Sequence, residues 1–226
     1  MDQDAKKRAV AEAALEDIRD ALTPDAILGV GTGSTANCFI DALVASGIEL
    51  AGTVASSEAT AARLTAGGIR VLEADEAGPL AVYVDGADEA APDLSLIKGA
   101  GAALTREKII AATAETFVCV VDDSKCVETL GVGAYPLPIE IIPMALGHVQ
   151  RQLAPLGGTG LLREGVVTDN GQWIVDVTGL DLTDPPAAEA RLDAIVGTVC
   201  NGLFARRGAD RLLVATDTGV ERRTPR

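Results

Sequence analysis

The first 122 residues alternate short, uninterrupted apolar runs with helical stretches, and this pattern constrains the fold more than anything else in the chain. AILGVG (26–31), LAGTVASS (50–57), IRVLEA (69–74), LAVYVDG (80–86) and FVCVVD (117–122) read as strands. Helical segments lie over about 5–22, from Ser34, near 58–66 and from about Ala102 to Ala114. Strands that are apolar on both faces have no solvent side, so they belong in a parallel sheet covered by helices on both faces. The expected fold is α/β: a doubly wound, mostly parallel, Rossmann-like sheet whose ligands bind beyond the carboxyl ends of its strands.

The pattern changes after about Leu130. PLPIEIIP (136–143) leads into a helix with Pro143 near its first turn, where a missing N–H costs little. REGVVTDNGQWIVDV (163–177) reads as a hairpin turning at Asp169-Asn170-Gly171. A helix over 186–196 and the strand-like TVCNGLFA (198–205) follow, which together suggest a smaller α+β domain. RLLVAT (211–216) then returns to the first sheet. The expected division is 1–130 with 209–226 as the α/β catalytic domain, and 131–208 as a small α+β domain inserted before the C-terminal strand.

The chain carries 33 acidic against 19 basic residues, a formal charge of −14, and only five lysines (6, 7, 98, 108 and 125). Such a surface repels phosphate backbones and argues against nucleic acid as a partner. Scarce lysine with abundant Asp and Glu suits a protein working in concentrated salt, where screening relieves self-repulsion. No apolar run is long enough to span a bilayer, and the N-terminus reads as an amphipathic helix rather than a signal peptide, so a cytoplasmic protein is expected. Cys38, Cys119, Cys126 and Cys200 lack metal-binding spacing and read as free thiols. The single histidine, His148, reads as an ordinary helical residue and excludes His-rich metal sites.

Three stretches carry candidate chemistry. GVGTGST (29–35) joins a strand to a helix. Its glycines permit a sharp turn, and a helix N-terminus with hydroxyls at Thr32, Ser34 and Thr35 suits an anion. A structural βα turn capped by serine or threonine fits equally well. The dinucleotide fingerprint fails because Ser34 stands where GxGxxG needs its third glycine, which disfavours a nicotinamide oxidoreductase. YVDGADE (83–89) puts Asp85 and Asp88 just past a buried strand, as metal ligands, as partners for sugar hydroxyls, or as turn formers. In KGAGAALTREK (98–108), Lys98 can stabilise a developing oxyanion, the small residues allow close backbone approach, and Glu107 can serve as a base if removed from water.

GVGTGST, YVDGADE, IKGAGAALTREKII, GVVTDNG and GLFARRGAD occur in this order over nearly the whole chain, and together they closely resemble ribose-5-phosphate isomerase, type A. The resemblance implies interconversion of ribose 5-phosphate and ribulose 5-phosphate in the non-oxidative pentose phosphate pathway, without metal or organic cofactor. It implies Glu107 as the base, with Asp85, Asp88 and Lys98 assisting ring opening and steadying the oxyanion. Substrate would be held by Thr32, Gly33, Ser34 and Thr35, by Asp85, Gly86, Ala87 and Asp88, by Lys98, Gly99, Ala100 and Gly101, and by Lys125. Lys7 is a further phosphate contact on the same grounds, and a homodimer or homotetramer is expected. Two departures stand out: the family's KGGG appears as KGAG, and VGAYPLP looks slightly long. A phosphosugar-sensing regulator shares this fold, but it would need a DNA-binding module. The chain opens on the first helix of the α/β domain, its charge is wrong for DNA, and Glu107 is retained beside a complete acidic turn.

Overall fold

The computed structural model describes residues 1–225. Helix α1 (Gln3–Asp17) leads to β1 (Ile27–Val30), α2 (Ser34–Ser46), β2 (Gly52–Ala55), α3 (Glu58–Ala66) and β3 (Leu80–Asp85). Two short strands, β4 (Glu89–Ala90) and β5 (Leu96–Ile97), precede α4 (Leu104–Thr113) and β6 (Ala114–Asp122). Then come β7 (Leu137–Ile141), α5 (Leu146–Leu153), β8 (Thr159–Leu162), β9 (Trp173–Thr178) and α6 (Pro185–Asp193). Strands β10 (Thr198–Asn201), β11 (Leu203–Phe204), β12 (Arg211–Ala215) and β13 (Val220–Arg223) complete the chain.

Two compact units result: Met1–Gly86 with Arg106–Cys126 and Ala209–Arg226, and Ala87–Thr105 with Val127–Gly208. The segment Ala87–Thr105 groups with the second unit, because β4 and β5 pair with each other and with β11.

The first unit is built on a six-stranded sheet, ordered β13-β12-β6-β3-β1-β2. All its pairings are parallel except β12 with β13. The strand order reverses between β1 and β3, the place where open α/β sheets bind ligands. Val10, Ala11, Ala14 and Leu15 of α1 join Leu28, Val30, Val82, Val84, Val118 and Val120 in one buried cluster. The apolar runs are therefore core strands because both of their faces are covered. RLLVAT returns as expected, with β12 parallel to β6.

Three local readings change. The run 69–74 forms no strand: Val71 makes one isolated parallel bridge with Thr53, after which a turn at Glu73–Ala77 leads the chain away. The hairpin expected over 163–177 is β8 with β9, so its first strand lies at Thr159–Leu162, and the residues up to Gln172 form a long loop. Strand β13, too polar to read as a strand, closes the sheet edge through a tight turn in which the Thr216 amide donates to the Gly219 carbonyl.

The second unit pairs β10-β7-β9-β8 antiparallel and β11-β5-β4 antiparallel. Ile139, Ile141, Val149, Leu153, Val175 and Leu192 lie in its core. No helix among the described residues is long and apolar enough to cross a membrane. None of the four cysteines forms a disulfide among the described residues.

Backbone contact is closest at Gly202, whose amide donates to the Pro138 carbonyl (2.8 Å) and whose carbonyl accepts from the Lys98 amide (2.9 Å). A β-carbon there would lie 2.3 Å from the Lys98 carbonyl oxygen. Gly202→Ala should therefore destabilise the protein by about 1–3 kcal/mol, the usual cost of overpacking. Urea unfolding checks this, and an unchanged midpoint would mean that the two backbones separate freely.

Candidate active site

In the first unit the turn after β1 is built around one carboxylate. The Gly31 amide continues the parallel ladder by donating to the Val84 carbonyl (2.9 Å). Asp85, at the end of β3 and fully buried, then accepts from the amides of Thr32 (3.1 Å) and Gly86 (2.7 Å) and from the Tyr83 hydroxyl. A β-carbon on residue 31 would fall 1.9 Å from the Asp85 carboxyl carbon, so glycine is required there by close approach. Gly33 is required differently, by its φ of 120° as the residue before α2.

The Thr32 hydroxyl meets Ser56 (2.7 Å), Ser57 (2.8 Å) and Thr60 (3.2 Å), and the Thr60 hydroxyl donates to the Gly31 carbonyl (2.8 Å). Thr32 thus uses both its amide and its hydroxyl to hold the turn. Ser34 and Thr35 form the first residues of α2, and no side chain caps that helix. Its start retains the geometry that receives an anion.

Glu107 lies in the first turn of α4 and is 4% exposed. Tyr83 lies within the influence of Asp85 and Glu107. Burial, and then the charges of Asp85 and Glu107, push its phenol well above the usual tyrosine range, so it stays protonated and donates to Asp85. Its ring stacks on Phe117 with centroids 4.8 Å apart.

Lys125 closes a short turn after β6. Asp122 caps that turn by accepting from the Ser124 amide (3.0 Å) and also accepts from Gln3 of α1 (3.1 Å). Lys6 of the same helix bonds Asp123 (2.8 Å) and Asp217 (3.0 Å). Lys7 is 3.6 Å from Asp4, one helical turn away. The turns after β1, β3 and β6 therefore line one edge of this sheet.

In the second unit Asp88 shapes the lysine loop. Its amide donates to the Ile97 carbonyl (2.8 Å) and its carboxylate accepts from the Ala100 amide (2.9 Å). Lys98 is 3% exposed, with its ammonium 5.6 Å from the centroid of the Phe204 ring, a cation–π arrangement. Gly99 has φ 111°, and a β-carbon there would lie 2.6 Å from Pro138 Cγ. Ala100 is not at positive φ, so its methyl costs no backbone strain, and the KGAG variant is accommodated. The start of the loop before β7 is also held, because the amides of Gly131 and Gly133 each donate to buried Glu89 at 2.7 Å.

Two residues the sequence did not single out support these groups. One is Tyr83, whose hydroxyl needs a partner at zero exposure. The other is Arg163, which donates to the carbonyls of Gly99 (3.2 Å) and Ala100 (3.0 Å) while its Nε bonds Asp176 (2.8 Å). A buried tyrosine two residues before an acid was a usable signal. Nothing local marks Arg163 as a support of the lysine loop, because the Gly99 and Ala100 carbonyls it reaches lie more than sixty residues away. Among the described residues no group of three or more His, Cys, Asp or Glu side chains is gathered to hold a metal.

The Tyr83 environment has a consequence for stability. A phenol whose pKa is raised by folding keeps its proton in the native state after the unfolded chain has lost it. Its contribution is complete below about pH 10 and falls by about 1.4 kcal/mol per pH unit above that, until the folded value is reached. Urea unfolding between pH 9 and 11 should show this slope, and Tyr83→Phe should flatten it. An equally steep loss in the variant would place the alkaline sensitivity elsewhere.

A family model described as ribose 5-phosphate isomerase A (phosphoriboisomerase A) matches residues 52–219. Ribose 5 phosphate isomerase A from Neisseria gonorrhoeae is 42% identical over 100% of this chain and 98% of that one, with a TM-score of 0.94. The enzyme from Methanocaldococcus jannaschii is 34% identical over 99% of this chain and all of that one, with a TM-score of 0.90. A D-ribose-5-phosphate isomerase in complex with phospho-erythronic acid is 36% identical over 99% of this chain and all of its own, with a TM-score of 0.92. The chain belongs to the ribose 5-phosphate isomerase A family of aldose–ketose isomerases.

Proposed function

We propose that the protein interconverts D-ribose 5-phosphate and D-ribulose 5-phosphate through an enediolate, with Glu107 as the base. The observation that carries this reading is a carboxylate in the first turn of α4, 4% exposed, whose charge acts on Tyr83 together with that of Asp85. Glu107 takes the C2 proton of the open-chain aldose and returns it to C1, while the hydroxyl proton passes from O2 to O1. A proton alpha to a carbonyl is weakly acidic, so the base needs a stabilised enediolate beside it. Lys98 supplies positive charge for that oxyanion, and Asp85 and Asp88 assist ring opening. The Thr32–Thr35 turn, the Asp85–Asp88 turn, the Lys98–Gly101 loop and Lys125 hold the phosphorylated chain, with Lys7 as a further phosphate contact. The relative solved with phospho-erythronic acid supports a phosphorylated ligand of this kind.

In this reading the enzyme needs no metal or cofactor, works in the cytoplasm as a homodimer or homotetramer, and serves the non-oxidative pentose phosphate pathway. The charge of −14 further suggests a protein suited to concentrated salt.

The first test is ketose formation from ribose 5-phosphate with EDTA present, at low and at molar KCl. Turnover is expected at both, undiminished in molar salt. Better folding and activity in dilute buffer would remove the salt adaptation, and silence from folded protein at both salts would favour a phosphosugar-binding role. Glu107→Gln should lower kcat by at least about 10²-fold, the scale of a positioned base, with sugar-phosphate binding still detectable. Near-normal turnover would take the base role from Glu107.

A further inference from the structure

Glu140 is the penultimate residue of β7, every residue of which is buried, and is itself fully enclosed. A carboxylate in such a place is costly unless donors surround it. Three side chains do so, all from the second unit. The Thr105 hydroxyl donates to one oxygen, while the Thr168 hydroxyl (2.7 Å) and the Asn170 amide (3.1 Å) donate to the other. Thr168 and Asn170 belong to the TDNG stretch, for which the proposed chemistry has no use. The shape of that loop serves Glu140. The Thr168 oxygen also accepts from the amides of Asn170 (3.2 Å) and Gln172 (3.1 Å), and Gly171 turns the chain at φ 75°.

Thr105 connects this network to the reaction. It sits in the first turn of α4, two residues before Glu107. In a helix of 3.6 residues per turn, two positions are separated by about 200° around the axis and about 3 Å along it. Anchoring the helix by the Thr105 hydroxyl therefore fixes its rotation, and with it the direction of a carboxylate on the opposite side.

We propose that Glu140, itself held by Thr168 and Asn170, is a positioning residue for Glu107, acting through Thr105. The proposal rests on the reading of Glu107 as the base.

Thr105→Val removes the donor with little change of shape, and Thr105→Ser keeps it. Thr105→Val is expected to lower kcat about tenfold with KM unchanged, because a misplaced reacting group costs rate rather than binding. Thr105→Ser should restore kcat. Glu140→Gln should lower kcat in the same way, and the double variant should be no slower than the slower single one. A merely structural role would lower the unfolding midpoint and leave kcat alone. Native kcat in Thr105→Val, or losses that multiply in the double variant, would overturn the proposal. Glu107→Gln measured alongside separates the two claims. If it turns over normally, the base reading fails. If it is inactive while Thr105→Val runs at full rate, only the positioning role fails.

Discussion

A carboxylate without access to water must be given hydrogen-bond donors, and this structure meets that demand by bending loops around buried acids. Asp85 draws in the amides of Thr32 and Gly86. Glu89 takes those of Gly131 and Gly133, and Glu189 takes those of Ala205 and Arg206. Asp122 organises the turn that ends in Lys125. In each case the loop has no regular ladder of its own, and one charged group replaces the missing backbone partners. Hydrogen bonds to an ionised acceptor are the stronger kind, so a single side chain can fix a short segment.

This device explains why glycines cluster where they do. At two positions the backbone passes so close to a buried carboxylate that a β-carbon has no room: residue 31 would collide with Asp85, and residue 133 with Glu89 at 2.2 Å. The glycine-rich turn after β1 owes as much to Asp85 as to any ligand. Thr32, whose amide bonds Asp85, also engages its hydroxyl in holding the turn. The amides of α2, with no side-chain cap, are where the same turn can meet an anion.

The legible part of the molecule was the part encoded locally. Continuous apolar runs became β1, β2, β3, β6 and β12, because burial on both faces leaves a contiguous mark in sequence. The run 69–74 carries the same mark, yet the acidic turn that follows it allows only one bridge to Thr53. Strand β13 left no mark because an edge strand tolerates charge on an exposed face. Within the candidate site, Asp85, Lys98 and Glu107 stood out as charges placed next to apolar segments, and all three are buried. Their supports did not stand out. Arg163 and Glu140 act on residues more than thirty positions away, and no periodicity carries that information.

The buried acids also qualify what the overall charge means. Six of the 33 acidic residues, Asp85, Glu89, Glu107, Asp122, Glu140 and Glu189, lie inside, so the −14 formal charge overstates what the surface presents as acid. Where their donors are backbone amides, hydroxyls and carboxamides, the interactions are short-ranged and shielded from mobile ions, and added salt has little to screen. The ion pairs of Lys6 with Asp123 and Asp217, and of Arg63 with Asp41, lie at the surface and belong to the class that salt weakens. Ionic strength therefore acts on the repulsion among exposed acids and on these peripheral pairs. The turn around Asp85 is instead set by hydrogen bonds to an enclosed carboxylate, an arrangement that lets an acidic exterior vary without moving that turn.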